Sequence, residues 1–128
     1  MTPILKQTDY TIITNLINNL SYYQKTTEVD LMSEELKKAD IVADEDIKAD
    51  IIQLFSKFDV EDVESKKIFS LSITPPHLAN FKEKKISVFS PLAVALIGHR
   101  KGMTVEWLLP GGLKKLYIKS VMLQQPVK

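Results

Sequence analysis

The chain has 128 residues, a formal net charge of +1 and no cysteine. This length suits one compact domain with a small appendage, and the lack of cysteine excludes a disulfide scaffold, thiol chemistry and a cysteine-based zinc site. The charge is unevenly distributed. Residues 28–64 hold thirteen acidic residues against four basic ones, and residues 82–128 hold nine basic against two acidic. Such asymmetry is typical either of steering of a charged partner or of two solvated faces that attract each other.

Residues 1–45 contain two predicted helices. Thr8 or Asp9 can cap the first, whose apolar residues recur at helical spacing: Ile12, Ile13, Leu16, Ile17 and Leu20. The second has apolar residues at a similar spacing: Val29, Met32, Leu36 and Ala39. Residues 21–27, with adjacent tyrosines at 22 and 23, interrupt the pattern between them. Two helices joined by so short a link predict an antiparallel hairpin, and the acidic residues 41–50 that follow are predicted to be an irregular linker.

Residues 46–128 form the second predicted domain, in which the apolar period changes from helical spacing to two. Alternating apolar residues predict a first strand, with Ile52, Leu54, Phe58 and Val60, and a second, with Ile68, Leu71 and Ile73. A polar turn is predicted between them at residues 59–67. Two consecutive prolines, Pro75 and Pro76, end the second strand because neither can donate to a ladder. Ile86, Val88 and Phe89 predict a further short strand.

A short apolar helix and a hairpin are predicted after this strand. Ser90 is suited to the N-cap and Pro91 to the first helical position, where its missing N–H costs nothing. Gly98 suits a left-handed cap at the other end, and the helix is too short to span a membrane. Val105, Trp107 and Leu109 alternate with outward residues, and residues 110–112, Pro-Gly-Gly, predict the turn to a last strand that ends near Val121. Trp107 is predicted to be a core residue.

Few residues suit catalysis or metal binding. His77 and His99 are the only histidines, 22 residues apart, and they lack the helical spacing of a metalloprotease site. No serine lies in a nucleophile-elbow motif. We therefore expect no metal, no cofactor and no enzymatic activity. The N-terminus has no basic region followed by an apolar run, so the expected location is the cytoplasm.

The segment from Ile86 to Val121 carries a family resemblance. Its pattern I-S-x-x-S-P-x-x-x-A-L-I-G, then G-x-x-V-E-W-x-x-P-G-G and a strand ending I-x-x-V, resembles the C-terminal domain of bacterial Gre transcript-cleavage factors. The chain also resembles their short relative, the regulator of nucleoside diphosphate kinase (Rnk). Its shortened helical hairpin is similar to L-x-Q-T-D-Y at residues 5–10 and E-E-L-K-K-A-D-I-V at residues 34–42. The resemblance implies an α+β fold: a short N-terminal antiparallel helical hairpin, then an FKBP-like antiparallel sheet packed on one helix.

The resemblance also implies a function. Gre factors place acidic residues at the tip of a long hairpin, where they help hold a catalytic Mg²⁺ in RNA polymerase. Here each helix has at most about 14 residues, or roughly 20 Å, and the acids nearest the tip, Glu28 and Asp30, are better explained as charges at a helix N-terminus. What the resemblance transfers is docking at the rim of the polymerase secondary channel. Ser90 and Pro91 match the docking segment and Phe89 flanks it, and the basic turn would add to the contact surface with His99, Arg100 and Lys101.

The sequence thus predicts a non-cleaving elongation regulator that binds bacterial RNA polymerase and competes with longer Gre-type factors. Its contact with nucleic acid would be indirect, within the transcription complex. Two alternatives remain open. One is a transcript-cleavage factor with a degenerate tip. The other is an interaction module for another acidic or nucleic-acid partner, which would use a group of lysines: Lys82, Lys84, Lys85, Lys114, Lys115 and Lys119.

Overall fold

A computed structural model describes residues 2–109 and 112–122. The elements in chain order are β1 (Ile4–Lys6), α1 (Gln7–Asn18), α2 (Thr27–Lys38), β2 (Asp40–Val42), β3 (Lys57–Asp62), β4 (Ile68–Thr74), β5 (Lys85–Ser87), α3 (Pro91–Leu96), β6 (Thr104–Leu109) and β7 (Gly112–Met122). This mixture of helices and sheet confirms the α+β prediction, while the FKBP-like detail stays a prediction. No helix in these ranges is both long and apolar enough to cross a bilayer.

The two N-terminal helices form where the apolar spacing predicts them. Thr26 caps α2, because its hydroxyl accepts the Val29 N–H at 3.2 Å. The predicted cap of α1 by Thr8 or Asp9 is wrong. The helix begins at Gln7, and the N–H of Thr8 donates instead to Asp44 Oδ1 at 2.9 Å. An N–H in the first turn of α1, where Thr8 or Asp9 was expected to supply the cap, is therefore bound by Asp44, which lies 36 residues further along the chain.

A parallel strand pair joins the ends of the two helices. β1 precedes α1 and β2 follows α2, and they pair in parallel from Ile4↔Asp40 to Lys6↔Val42. The two helices therefore lie in the crossover connection between neighbouring parallel strands, and their antiparallel arrangement stays a prediction. Residues 41 and 42 were predicted to belong to an irregular linker, and the structure corrects this because they lie in β2. A three-residue strand is too short for the alternation of apolar and polar residues to be recognised in the sequence.

The main sheet has the order β5-β4-β3-β7-β6. The β3–β4, β3–β7 and β6–β7 pairs are antiparallel, and β7 bulges at Lys119, opposite Asp59 and Val60 of β3. The prediction of a wholly antiparallel sheet is corrected at one edge, since β5 runs parallel to β4 through Ser72↔Lys85. Two 3₁₀ turns, Pro76–Leu78 and Phe81–Glu83, carry the chain back before β5 begins.

Three predicted segments have different bounds in the structure. The first sheet strand starts at Lys57, and residues 51–56 are a buried irregular segment rather than strand. The turn predicted at residues 59–67 is shorter because β3 continues to Asp62. The strand predicted to include Val88 and Phe89 ends at Ser87. In the first and third cases, apolar residues outside the ladder imitate the alternation of a strand, whereas in the second case the polar residues Glu61 and Asp62 are part of the ladder.

The helix and hairpin near the C-terminus follow the prediction. Gly98 has φ +81° and follows Ile97, the last-turn cap of α3. A Cβ on Gly98 would lie 2.6 Å from the Pro3 Cβ, so glycine is also needed for the packing of the N-terminal segment. β6 and β7 pair from Thr104↔Tyr117 to Leu109↔Gly112. The predicted turn residues Pro110 and Gly111 lie outside the described residues.

One continuous core joins the helices and the sheet. Leu5, Ile13 and Met32 belong to the same buried cluster as Phe58 and Ile118. The predicted boundary between residues 45 and 46 stays a prediction, although this shared core shows that the two parts pack together. Trp107, predicted to be core, is half-buried against the cluster.

Candidate functional site

The start of α3 is a rigid, partly exposed corner. Ser90 Oγ accepts the Ala93 N–H at 3.3 Å, and the Ser90 N–H donates to the Ser87 carbonyl at 2.9 Å. Pro91 occupies the first helical position and is exposed, whereas Phe89 is half-buried. The predicted cap is therefore confirmed. It holds the Ser-Pro pair in one conformation at the surface.

A shallow groove of about 470 Å³ lies beside this corner. Its lining residues are Leu20, Gln24, Thr26, Glu28, Val29, Pro76, Ser87, Phe89, Ser90 and Pro91. Three of the predicted site residues thus share a surface with the connection between α1 and α2. The walls are largely apolar, and among these lining residues Glu28 is the one acidic residue and none is basic. The contribution of the hairpin connection was missed from the sequence, because nothing local indicates that it packs there.

The basic turn, residues 99–101, lies at the other end of α3. None of its three residues lines the groove, and six helical residues separate it from Ser90, a rise of about 9 Å. Its backbone is bonded to the segment before β3: Ile52 donates to the His99 carbonyl at 2.9 Å and Lys101 donates to the Asp50 carbonyl at 2.8 Å. The predicted site therefore divides into two separate groups.

The basic turn carries less charge than its sequence suggests. Burial lowers the pKa of His99, so this imidazole is neutral at neutral pH. Arg100 Nε lies 4.0 Å from Asp50 Oδ2, a pair that is less than half exposed. Lys101 is exposed and has no ion-pair partner within the described part of the chain. The turn mainly joins the segment at residues 50–52 to the end of α3.

The connection between α1 and α2 carries an exposed aromatic pair. Ser21 and Gln24 form a capping box around the 3₁₀ turn Tyr22–Gln24, and the Ser21 N–H donates to Gln24 Oε1 at 2.9 Å. Tyr22 and Tyr23 are 85% and 93% exposed, with ring centroids 5.7 Å apart in an edge-to-face arrangement. The sequence analysis treated these tyrosines only as an interruption of helical spacing. Two adjacent tyrosines in a polar link were the available signal.

The lysines proposed as an alternative basic surface do not form one patch. One group lies at β5, at an edge of the sheet, and the other lies on β7, with β4 and β3 between them. Three of the six are also paired with acids: Lys85 with Glu83 at 3.0 Å, Lys114 with Asp62 at 3.6 Å, and Lys119 with Glu61 at 3.4 Å. Dispersed and partly neutralised lysines are weak support for a nucleic-acid surface.

Within residues 2–109 and 112–122, no three His, Cys, Asp or Glu side chains are grouped so that they could hold a metal ion. His77 is exposed in the turn Pro76–Leu78, and His99 is half-buried at the end of α3. The expectation that the protein needs no metal or cofactor stays a prediction.

Comparisons with a family model and with individual known proteins identify the same family. Residues 47–123 match the family model described as transcription elongation factor GreA/GreB, C-terminal. The chain is 34% identical over 97 residues to transcription elongation factor GreA of Rhodopseudomonas palustris, covering 74% of this chain and 59% of that protein. It is 37% identical over 86 residues to GreA of Alkaliphilus oremlandii, covering 67% and 54%. The chain therefore spans less than two thirds of the length of these relatives.

Solved structures agree on the fold. The prokaryotic transcription elongation factor GreA/GreB from Nitrosomonas europaea has a TM-score of 0.76 and 25% identity, covering 95% of this chain and 98% of that one. Gfh1 of Thermus aquaticus, at a TM-score of 0.53 and 19% identity over 94% and 98% of the two chains, supports the fold alone. The particular closeness to the Rnk-type proteins stays a prediction. The matched domain and the shared fold show that this chain belongs to the GreA/GreB transcription elongation factor family.

Proposed function

We propose that this protein binds bacterial RNA polymerase at the rim of the secondary channel and regulates elongation without stimulating transcript cleavage. It acts in the cytoplasm, where polymerase works, and competes for the rim with longer Gre-type factors. Family membership supports a role in transcription elongation. The position of the hairpin connection supports the absence of cleavage, and this observation carries the proposal.

The hairpin connection does not extend away from the docking corner. α1 and α2 have 12 residues each, which corresponds to about 18 Å. Leu20 and Gln24, at the end of this short hairpin, line the same groove as Pro91. A connection that packs beside the docking residues has no length left with which to enter a channel when those residues touch its rim.

The connection also lacks the chemistry that cleavage requires. No carboxylate occurs from Asn19 to Thr27. Glu28 is half-buried in the groove, and Asp30 lies in the first turn of α2, where the helix dipole favours an acid. A tip without carboxylates lacks the side chains through which proteins usually hold Mg²⁺. We therefore propose that the protein has no catalytic activity.

Docking is assigned to the α3 corner. Ser90→Ala with Pro91→Ala should weaken polymerase binding while the domain stays folded, because the loss of one cap costs about 1 kcal/mol. Ser65→Ala is a matched control, since Ser65 Oγ accepts the Lys67 N–H at 3.3 Å, the same length as the bond lost at Ser90. Unchanged affinity in the folded double variant would remove the docking role of this corner.

A cleavage assay tests the regulatory role. Stalled elongation complexes with Mg²⁺ and this protein should shorten their RNA no faster than complexes in buffer. The protein should inhibit cleavage stimulated by a long Gre factor, and the Ser90→Ala/Pro91→Ala variant should lose that inhibition. Cleavage above background that disappears in Glu28→Ala/Asp30→Ala would instead establish the degenerate-tip alternative. No specific observation favours that alternative or the lysine-based interaction module.

A further inference from the structure

We infer that Tyr22 and Tyr23, here called the aromatic tip, form a second contact with polymerase together with Glu28. The occupant would be a segment of the polymerase that inserts an apolar side chain into the groove and presents an arginine or lysine to the aromatic tip. This inference rests on the proposed function. It assigns to the hairpin connection a binding role in place of the catalytic one that its relatives' longer hairpins suggest.

The aromatic tip is exposed and lies on a hydrogen-bonded turn. Two tyrosines at 85% and 93% exposure contribute nothing to the core, and tyrosine is one of the residue types that dominate binding energy at interfaces. The turn beneath them is fixed by the reciprocal bonds of Ser21 and Gln24, at 2.9 and 3.0 Å. Because the backbone of the turn is already fixed and a tyrosine side chain has only two χ angles, ordering these rings on binding costs little conformational entropy.

The aromatic tip adjoins the groove. Leu20 precedes the turn and Gln24 ends it, and both line the groove. The two tyrosines do not line the groove themselves, but they lie in sequence between two residues that do, and Phe89 and Pro91 line the same groove. A partner segment that fills the groove therefore contacts residues next to the aromatic tip and residues of the Ser-Pro corner.

The charged groups in and near the groove determine which kind of partner segment it can bind. The groove offers a carboxylate, Glu28, and no residue that is cationic at neutral pH among its lining. Lys25 follows the turn but does not line the groove. A nucleic-acid backbone needs cations along its path, whereas a cationic side chain finds both a carboxylate and electron-rich ring faces here. These groups favour a basic and apolar protein segment over RNA.

The test is the affinity of the full chain for purified core polymerase without nucleic acid. Tyr22→Ala/Tyr23→Ala should weaken binding about 10- to 100-fold. Tyr22→Phe/Tyr23→Phe, which keeps both ring faces, should stay within about threefold. Glu28→Gln should weaken binding about fivefold and reduce its salt dependence. Phe81→Ala is the matched control: Phe81 is 86% exposed, lies outside the groove, and should leave affinity unchanged.

The outcomes separate this inference from the proposed function. If the unaltered chain does not bind polymerase, the proposed function fails and the inference fails with it. If it binds and Tyr22→Ala/Tyr23→Ala binds equally well, with an unchanged urea midpoint, only the role of the aromatic tip is overturned. Direct binding of a single-stranded RNA oligonucleotide that is lost in the same variant would also overturn the inference, because the tip would then be a base-stacking site.

Discussion

Asp9 offers a sharp test of how the hairpin is attached to the sheet. Its side chain is 2% exposed, and Asp9 Oδ2 accepts the Leu54 N–H at 3.0 Å, which joins α1 to the segment before β3. Burial raises the pKa of Asp9 from its usual value of 3.8 to about 6. The hydrogen bond from Leu54 and the charge of Lys6 lower this pKa, and the charge of Asp44 raises it, but burial has the largest effect. Asp9→Asn removes the charge and keeps an oxygen that can accept from Leu54.

The sign of the effect follows from proton binding. Between pH 3.8 and about 6 the folded state holds a proton on Asp9 that the unfolded state has lost, so the free energy of unfolding falls as pH rises through this window. Above it the buried carboxylate costs a constant amount. A shift of about two pKa units corresponds to about 3 kcal/mol at most. Asp9→Asn should therefore be the more stable protein at pH 8, and the difference should vanish near pH 4.

Urea unfolding at several pH values measures this difference, and Asp44→Asn is the control. Hydrogen bonds from the hydroxyl and N–H of Thr8 hold the pKa of Asp44 below its usual value. Asp44→Asn should therefore destabilise at neutral pH, and its effect should disappear as the pH falls through that lowered pKa. A variant Asp9→Asn that is less stable than the unaltered chain at pH 8, by an amount independent of pH, would refute the reasoning.

Two further predictions concern the packing around α3. In urea unfolding, Gly98→Ala should lower the free energy of unfolding by several kcal/mol, because it adds a clash with Pro3 to the strain of φ +81°. Gly102→Ala is the comparison: Gly102 has φ +91° but nothing near an added Cβ, so this change should cost only about 1 kcal/mol. Equal losses would refute the packing argument. Leu96 is fully buried, so Leu96→Ala should lower the free energy of unfolding by about 2–5 kcal/mol. Trp107 is half-buried, so Trp107→Ala should lower it by less than the roughly 3–5 kcal/mol expected for a buried tryptophan. An unchanged melting temperature for Leu96→Ala would contradict the core assignment.

Local signals made much of the fold predictable. The cap of α3 depends on adjacent residues, Ser90 and Pro91, and the β6–β7 hairpin depends on alternation across a two-residue link. Both can be recognised from a few consecutive residues. The cap of α1 could not be predicted, because it comes from Asp44 and exists only after the chain has folded. The same is true of the parallel β1–β2 pair, which two three-residue strands form across the hairpin.

The candidate site shows the same division. Ser90 and Pro91 were predicted from a motif, and the structure places them at an exposed corner. The groove beside them could not be predicted, because Leu20 and Gln24 reach it through tertiary packing. The basic turn was assigned to the site from its charge. In the structure the Arg100 and Ile51 backbones form an isolated bridge and the turn does not line the groove. Its role in binding stays a prediction.

The proposed absence of cleavage rests on two features, the short reach of the hairpin connection and its lack of carboxylates, and a substitution can separate these two causes. Tyr22→Asp/Tyr23→Glu places carboxylates at the hairpin connection without lengthening either 12-residue helix. If the short hairpin is what prevents cleavage, stalled complexes with Mg²⁺ and this variant should shorten their RNA no faster than complexes in buffer. This should hold even at a protein concentration that saturates polymerase. The saturation must be measured for the variant itself, because the substitution also removes the aromatic tip. Cleavage above background would mean that the connection leaves its place beside Pro91 when polymerase is bound, and the argument from length would then fail.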